Sequence, residues 1–220
     1  MLDALQVFFD EADPRSAALN MAVDEALLVT ATAPILRFYQ WRRPSISLGY
    51  FGRYTEVAAE AGDREIVRRW TGGGTVPHGE DLTYSVVIPT SHPFFQKSSM
   101  EIYQAVHDAI CRALEANGLE AVLAKDAAPK ISEKCFANAV RADVLSSGRK
   151  IAGAAHRRSR AGLLHQGSIQ RSDLPERFRG DLAEILCPDY QRMLLAPEIR
   201  ERATDIAATK YGTSEWLTRW

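Results

Sequence analysis

Arg68-Arg69-Trp70-Thr71-Gly72-Gly73-Gly74-Thr75-Val76-Pro77-His78 is the stretch on which the reading of this chain turns. Two arginines deliver three consecutive glycines, and a strand-like run, Leu82-Thr83-Tyr84-Ser85-Val86-Val87-Ile88, leaves them. Glycine has no Cβ, so such a loop accepts φ > 0 and lets a ligand lie against bare backbone. Successive N–H groups can converge there on an anion or a carbonyl oxygen. A glycine run between strands is by itself most often a turn. Its weight grows with three later stretches: Cys135-Phe136, then Gly148-Arg149-Lys150-Ile151-Ala152-Gly153-Ala154-Ala155, then Leu164-His165-Gln166-Gly167-Ser168-Ile169.

The 220 residues read as one domain, residues 1–220, long enough to bury a substantial core. A formal net charge of −1 gives no broad basic footprint, which argues against a nucleic-acid partner. Arg157, Arg158 and Arg160 form a local basic cluster suited to an acidic protein or a phosphate. Three cysteines without ligand-like spacing read as free thiols of a reducing compartment, with no metal site. The N-terminus lacks the basic-then-apolar order of a signal peptide. No apolar run approaches the ~18 residues needed to span a bilayer. The expectation is a cytoplasmic protein with no membrane contact.

Along the chain, Leu5 to Phe9 reads as a first strand, and Pro14 opens a helix over Arg15 to Val29 with Leu19, Val23, Ala26 and Leu27 inward. Asn20 and Asp24, one turn apart, read as a solvated or capping stripe. Strands follow at Ile35–Trp41 and Ser45–Tyr50, then a short helix over Glu56–Ala61. Glu65–Trp70 and Asp81–Pro89 read as the two arms of an irregular hairpin with the glycines at its tip. Ser98 and Glu101 match a capping box for a helix that ends near Asn117 and Gly118, with Cys111 packed inside it. Glu120–Ala124, Val140–Leu145, Lys150–His156 and Gly162–Gln170 read as strands, and the tail from Asp173 as helical, with Asp173 and Glu176 at cap spacing. The fold class is α+β, a mixed and mainly antiparallel sheet flanked by helices.

With these residues in order, the chain resembles the superfamily of lipoate-protein ligases, octanoyltransferases and biotin-protein ligases. That family shows an Arg-Arg-x-x-Gly-Gly loop with a following histidine, here Arg68 to His78. It shows a Gly-x-Lys-Ile-x-Gly-Ser-Ala strand, here Gly148 to Ala155 with alanine at the serine position, and a His-Gly-Ser segment, here His165-Gln166-Gly167-Ser168. Cys135-Phe136 ahead of Lys150 most resembles the cysteine-dependent octanoyltransferases that act on the glycine cleavage H protein. The resemblance implies a biotin/lipoate ligase-like catalytic domain. Its partners would be lipoyl carrier domains, of the H protein or of 2-oxoacid dehydrogenase E2 subunits, and its substrate an octanoyl or lipoyl group.

The chemistry so implied needs a nucleophile that is also a leaving group, and a thiolate is both. Cys135 takes that role, against the alternative of a structural thiol. An unperturbed thiol has a pKa near ~8.5 and needs a nearby cation. Lys150 supplies one and can also hold the acyl oxygen as charge develops on it. The alternative for Lys150 is an ordinary surface lysine. Acyl binding is expected of Gly72, Gly73, Gly74, Gly153, Ala154, Ala155 and Gly167, which permit close approach. Arg69, His78 and His165 join them, Arg69 to brace the loop or meet a phosphate, the histidines to orient a carbonyl or move protons. Burying six or seven methylenes at ~0.8 kcal/mol each contributes about 5 kcal/mol before entropic losses. Such a transferase needs no cofactor. An ATP- and Mg-dependent lipoate ligase is the first alternative, although 220 residues leave little room for the extra C-terminal domain of many ligases. A carrier-binding protein without turnover, suggested by the departures at Pro77 and His156, is the second.

Overall fold

The computed structural model describes residues 2–127 and 139–220. The chain opens with β1 (Gln6–Arg15), α1 (Ala17–Thr30), β2 (Ile35–Trp41) and β3 (Ser45–Leu48). Helix α2 (Tyr54–Ala61) leads to β4 (Glu65–Arg68), the glycine loop, β5 (Val76–His78) and β6 (Leu82–Pro89). A 3-10 turn (Pro93–Gln96) precedes α3 (Ser99–Ala116), β7 (Val122–Leu123), β8 (Val144–Ser146), β9 (Arg149–Arg158) and β10 (Gly162–Ile169). Then come α4 (Phe178–Leu186), β11 (Gln191–Met193), α5 (Pro197–Ile206), a π-helical turn (Ala207–Tyr211) and α6 (Ser214–Leu217).

Eight strands form one sheet in the order β11-β1-β2-β6-β10-β9-β8-β7. β11, β1 and β2 pair in parallel, and the remaining junctions are antiparallel. The α+β class with a mixed, mainly antiparallel sheet is therefore as expected. Helices cover both faces, so the central strands β6 and β10 are buried at every position. On one face Ile102, Val106, Ile110 and Leu114 of α3, with Phe178 and Leu182 of α4, pack over Val7, Phe38, Tyr84 and Leu163. On the other, Met21, Leu27 and Leu28 of α1 pack with Ala203 of α5 over Ile35, Tyr39, Val87 and Leu164. The switch of face between Leu163 and Leu164 is the two-residue period of a strand.

Both long helices start as their sequences dictate. Ser16 caps α1 by accepting from the Leu19 N–H. Ser98 and Glu101 form the capping box of α3, and Gly118, at φ +75°, follows its end. Cys111 is packed in the α3 core, where burial pushes its thiol up to about 12.

Three expectations are corrected. The arms around the glycines are not a hairpin: β4 pairs in parallel with β3 in a separate three-stranded sheet, ordered β4-β3-β5, while β6 is central to the large one. Ile46 and Leu48 of β3 bury against Val57 and Ala61 of α2, which holds the small sheet as its own packed unit. Asn20 and Asp24 are not solvated but wholly buried against Arg37. In the tail, Asp173 pairs with Arg171 instead of capping, the helix begins only at Phe178, and Gln191–Met193 adds an edge strand to β1. Among the described residues, no helix is long and apolar enough to cross a membrane.

Candidate functional site

The glycine loop hangs between the two sheets on the two arginines that precede it. Arg68 is fully buried, and among the described residues its guanidinium donates to carbonyl oxygens: Tyr50 and Gly52 from Nη1 at 2.8 and 2.7 Å, Leu217 from Nη2 at 2.7 Å. Arg69 donates to the Ser47 carbonyl and to Ser47 Oγ, both at 2.7 Å, and to the carbonyls of Gly72 at 2.9 Å and Gly74 at 2.8 Å. Arg69 thus braces the loop, the first of its two expected roles. Gly73, at φ +87°, adopts a backbone conformation that L side chains rarely reach.

Beneath the loop lies a narrow cavity of about 30 Å³, the room of roughly two waters. Gly153, Ala154 and Ala155 of β9 and Gln166 to Ser168 of β10 line one side, and Met21, Trp41 and Val76 face them. Arg69, Gly73, His78 and Ser47 complete the rim. Of the residues expected to bind an acyl group, the structure brings together Arg69, Gly73, His78, Gly153, Ala154, Ala155 and Gly167. Gly72 and Gly74 join through their carbonyls to Arg69 and are not among the lining residues.

His165 lies elsewhere. Strand alternation turns it to the α3 face, where its Nε2 is 3.1 Å from the Tyr84 hydroxyl and its Nδ1 is 2.6 Å from Nε2 of His156. Burial, then the neighbouring His156 and His107, push its pKa well below the ordinary histidine value. It does not line the cavity.

Lys150 is side-chain buried, with Nζ 2.8 Å from Asp143 Oδ2. Asp143 also accepts from the Tyr103 hydroxyl and from the Val140 N–H, and the Ala154 N–H donates to the same tyrosine oxygen. The ammonium passes over Gly153, whose missing side chain makes the room. Lys150 is not among the residues that line the narrow cavity; it lines a second, wider depression together with Ala127 and Ala139. Cys135 and Phe136 lie outside the described residues, which resume with Ala139, one of the residues lining that depression.

A polar network under the cavity was not foreseen. Arg37 donates to Asp24 at 2.7 Å and to Asp10 at 2.9 and 3.0 Å, all in the interior between α1 and the sheet. Burial works against its charge, but Asp24 and Asp10 outweigh that and raise its pKa. Asp24 accepts from Gln166 Nε2 at 2.8 Å, and Thr71 donates to Gln166 Oε1 at 2.9 Å, so Gln166 ties helix α1 to the glycine loop through the cavity wall. The signal available in the sequence was two polar residues, Asn20 and Asp24, on an otherwise apolar helix opposite an arginine in an apolar strand.

The lipoyl protein ligase A/B catalytic domain matches this chain over residues 16–191. The chain belongs to that family. The chain is similar to an octanoyltransferase LipM from Oceanobacillus iheyensis, 38% identical over 173 residues, which cover 74% of this chain and 63% of that protein. An octanoyltransferase LipM from Bacillus anthracis is 35% identical over 212 residues, 89% of this chain and 72% of that protein. The chain spans 60–63% of the length of the first three such relatives it matches. The fold of the lipoyl ligase family is also that of the bi-partite lipoate protein ligase of Thermoplasma acidophilum, solved with its E2 lipoyl domain, at TM-score 0.70 and 20% identity over 99% of this chain and 97% of that one.

Proposed function

We propose that this chain is a protein-lysine acyltransferase of lipoate metabolism, moving an octanoyl group to or from a carrier-domain lysine through a thioester on Cys135. The kinship with octanoyltransferases at 34–38% identity supports the reaction class. The observation that carries the site is the Lys150 ammonium, held by Asp143 beside Gly153, itself a wall residue of the narrow cavity that alanine, methionine and tryptophan also line. Such walls suit a straight alkyl chain, and the ammonium suits the oxygen of its carbonyl. The cleft is narrow, so an eight-carbon chain must part its walls. Met21, unbranched and with three rotatable bonds, is the wall residue most able to turn aside.

In this reading residues 1–220 act as one catalytic unit in the cytoplasm and need no cofactor. Arg69, Gly72, Gly73, Gly74, His78, Gly153, Ala154, Ala155 and Gly167 frame the acyl group. The partner is a lipoyl carrier domain of an H protein or an E2 subunit. The octanoyl thioester of Cys135 forms when sulfur attacks the acyl carbonyl and the donor leaves; it breaks when the acceptor amine attacks in turn.

Intact mass spectrometry after incubation with octanoylated H protein tests this. The expected result, without ATP, is a gain of one octanoyl mass that maps to Cys135 and is lost in Cys135→Ala. Full transfer activity in Cys135→Ala would remove the thioester, and lipoate-dependent release of pyrophosphate from ATP would replace the transferase with a ligase.

A further inference from the structure

Beside the glycine loop four aromatic rings gather. Tyr50 meets Phe51 edge-on with ring centroids 4.8 Å apart, and Trp216 and Trp220 lie 5.7 and 6.1 Å from the same Tyr50 ring. Phe51 and Trp220 are 5.7 Å from each other. Single exposed apolar side chains are ordinary on a protein surface. Here two large rings are neighbours, and Phe51 is 70% and Trp220 54% exposed.

Cations are interleaved with the rings. Arg157 lies over Tyr50 and Trp70, 4.9 and 5.0 Å from the two centroids, and Arg219 over Trp216 and Tyr50 at 4.7 and 5.1 Å. Lys210 sits over Trp70 at 4.2 Å and pairs with Glu25. Among the described residues, no carboxylate forms an ion pair with Arg157 or Arg219. The charges crowd one another. Burial comes first in lowering the Lys210 pKa and Glu25 opposes it, but Arg157 and Arg219 push it further down. The whole chain carries a net charge of only −1, so this positive excess is local. Stacking fixes an arginine over a ring without neutralising it, which leaves a positive surface for a negative one to meet. Exposed aromatic rings set among arginines are the composition of the central, energetically dominant part of protein–protein interfaces.

The surface abuts the site. The Tyr50 N–H donates to the Thr71 carbonyl at 2.9 Å, and Arg68, the anchor of the glycine loop, donates to the carbonyls of Tyr50 and Leu217. Arg157 stands two residues beyond Ala155 on β9, in unbroken register with β10 and so on the same face, and Ala155 lines the narrow cavity. Lys150 is seven residues back along that strand, about 23 Å by strand rise. A ~100-residue domain has a radius of gyration of about 13 Å, so one seated on the rings extends over both the cavity and the Lys150 depression.

We propose that Phe51, Trp220, Arg157 and Arg219 form the surface on which the carrier domain docks, through an acidic face of that domain. The inference rests on the acyltransferase reading above, which supplies the partner and leaves its seat unassigned. Phe51 and Trp220 give the contact its apolar centre, and the two arginines orient the incoming domain and speed its encounter. Trp216 and Lys210 hold the surface from behind: the indole donates to the Arg68 carbonyl at 3.0 Å, and the ammonium to Glu25 at 2.6 Å. The four docking residues lie apart from those that frame the acyl group, so changing them alters recognition of the carrier and spares the loading of the thiol.

Binding and transfer are read separately. Wild type, Phe51→Ser, Arg157→Glu and Arg219→Glu are titrated with apo H protein by calorimetry at low and high salt. Each is then loaded with a small octanoyl thioester and mixed with apo H protein in a single turnover. Each variant is expected to melt as wild type and to load at the wild-type rate, but to bind H protein at least about tenfold more weakly. Transfer then needs correspondingly more H protein to reach the same maximal rate. Wild-type affinity should fall as salt rises, and the two charge reversals should flatten that dependence. Phe51 and Arg219 are exposed, so those two variants carry the test if Arg157→Glu does not fold. Wild-type affinity in the folded variants, or no binding of H protein by wild type, overturns the docking surface. So does a concentration-dependent dimer in sedimentation that Phe51→Ser abolishes, because a second copy of this chain is then the occupant. A protein that binds H protein through these residues yet never loads Cys135 removes the thioester and keeps the surface.

Discussion

The ammonium of Lys150 occupies the space that a side chain at position 153 would need: a Cβ built on Gly153 would fall 2.8 Å from Nζ and 2.5 Å from Cε. The two positions are three residues apart on one strand, and Asp143 pulls the lysine across the gap. Gly153→Ala must therefore push the charge away from its place beside Asp143 while leaving the strand paired. The expected outcome is at least about a tenfold loss of acyl transfer, the scale of a misplaced catalytic group. The melting temperature should fall by roughly 2–12 °C, the equivalent of about 1–3 kcal/mol of strain in a 220-residue chain. A steady-state assay beside a thermal melt checks both.

Among the described residues, the planar guanidinium of Arg69 donates two hydrogen bonds to Ser47 and two to loop carbonyls. Lysine keeps the charge but cannot span both sets. Arg69→Lys is expected to loosen the glycine loop, raising KM for the acyl donor by about tenfold with a smaller effect on stability. A kinetic comparison of the two proteins measures it. Unchanged kinetics would mean the loop keeps its shape without the brace.

Asp24→Asn keeps the size of the side chain but removes one of the two carboxylates facing the buried Arg37. Leaving a buried guanidinium half-compensated costs about 3 kcal/mol, because Asp10 still pairs with it. A fall of roughly 6–12 °C in melting temperature is the corresponding expectation for a chain of this size.

Acid sensitivity should come from the α3 face. His107 is wholly buried, and burial lowers its pKa from 6.5 to about 4, with Lys150 adding in the same direction. In the unfolded chain it protonates near 6.5, so between there and pH 4 the unfolded state binds a proton that the folded state refuses. Stability is therefore full above about pH 6.5, declines as pH falls towards 4, and levels off below. The decline amounts to roughly 3 kcal/mol. His107→Asn keeps a donor for the Ala142 carbonyl but has no basic nitrogen, and should flatten this limb in denaturant titrations at stepped pH. His156, lowered to about 4 by burial first, adds a parallel share.

What the sequence made legible was whatever local chemistry decides. Ser98 and Glu101 announced the start of α3, and the strand-like run Leu82–Ile88 announced β6. The glycine triplet announced a loop of special backbone. Illegible was what long-range pairing decides. The small sheet joins Ser45–Leu48 to Glu65–Arg68 in parallel, and no turn signal marks a parallel neighbour. Asn20 and Asp24 look solvated until Arg37 is known to sit under them. His165 and Gln166 are adjacent in sequence, yet a strand's alternation sends one to a histidine cluster and the other to the cavity. Ser47, His78 and Asp81 meet only because three separate elements converge.

Arg68, which holds the loop from below, takes its outermost acceptors from the carbonyls of Trp216 and Leu217, and the Trp216 indole donates back to the Arg68 carbonyl at 3.0 Å. The loop's anchor is thus synthesised nearly 150 positions after the loop itself. On a translating ribosome the sheets and helix α3 can close early, but the cleft stays half-built until residue 217 has emerged from the exit tunnel. Nascent chains halted before that point would lack the outermost acceptors of Arg68 and leave the slot's apolar walls open.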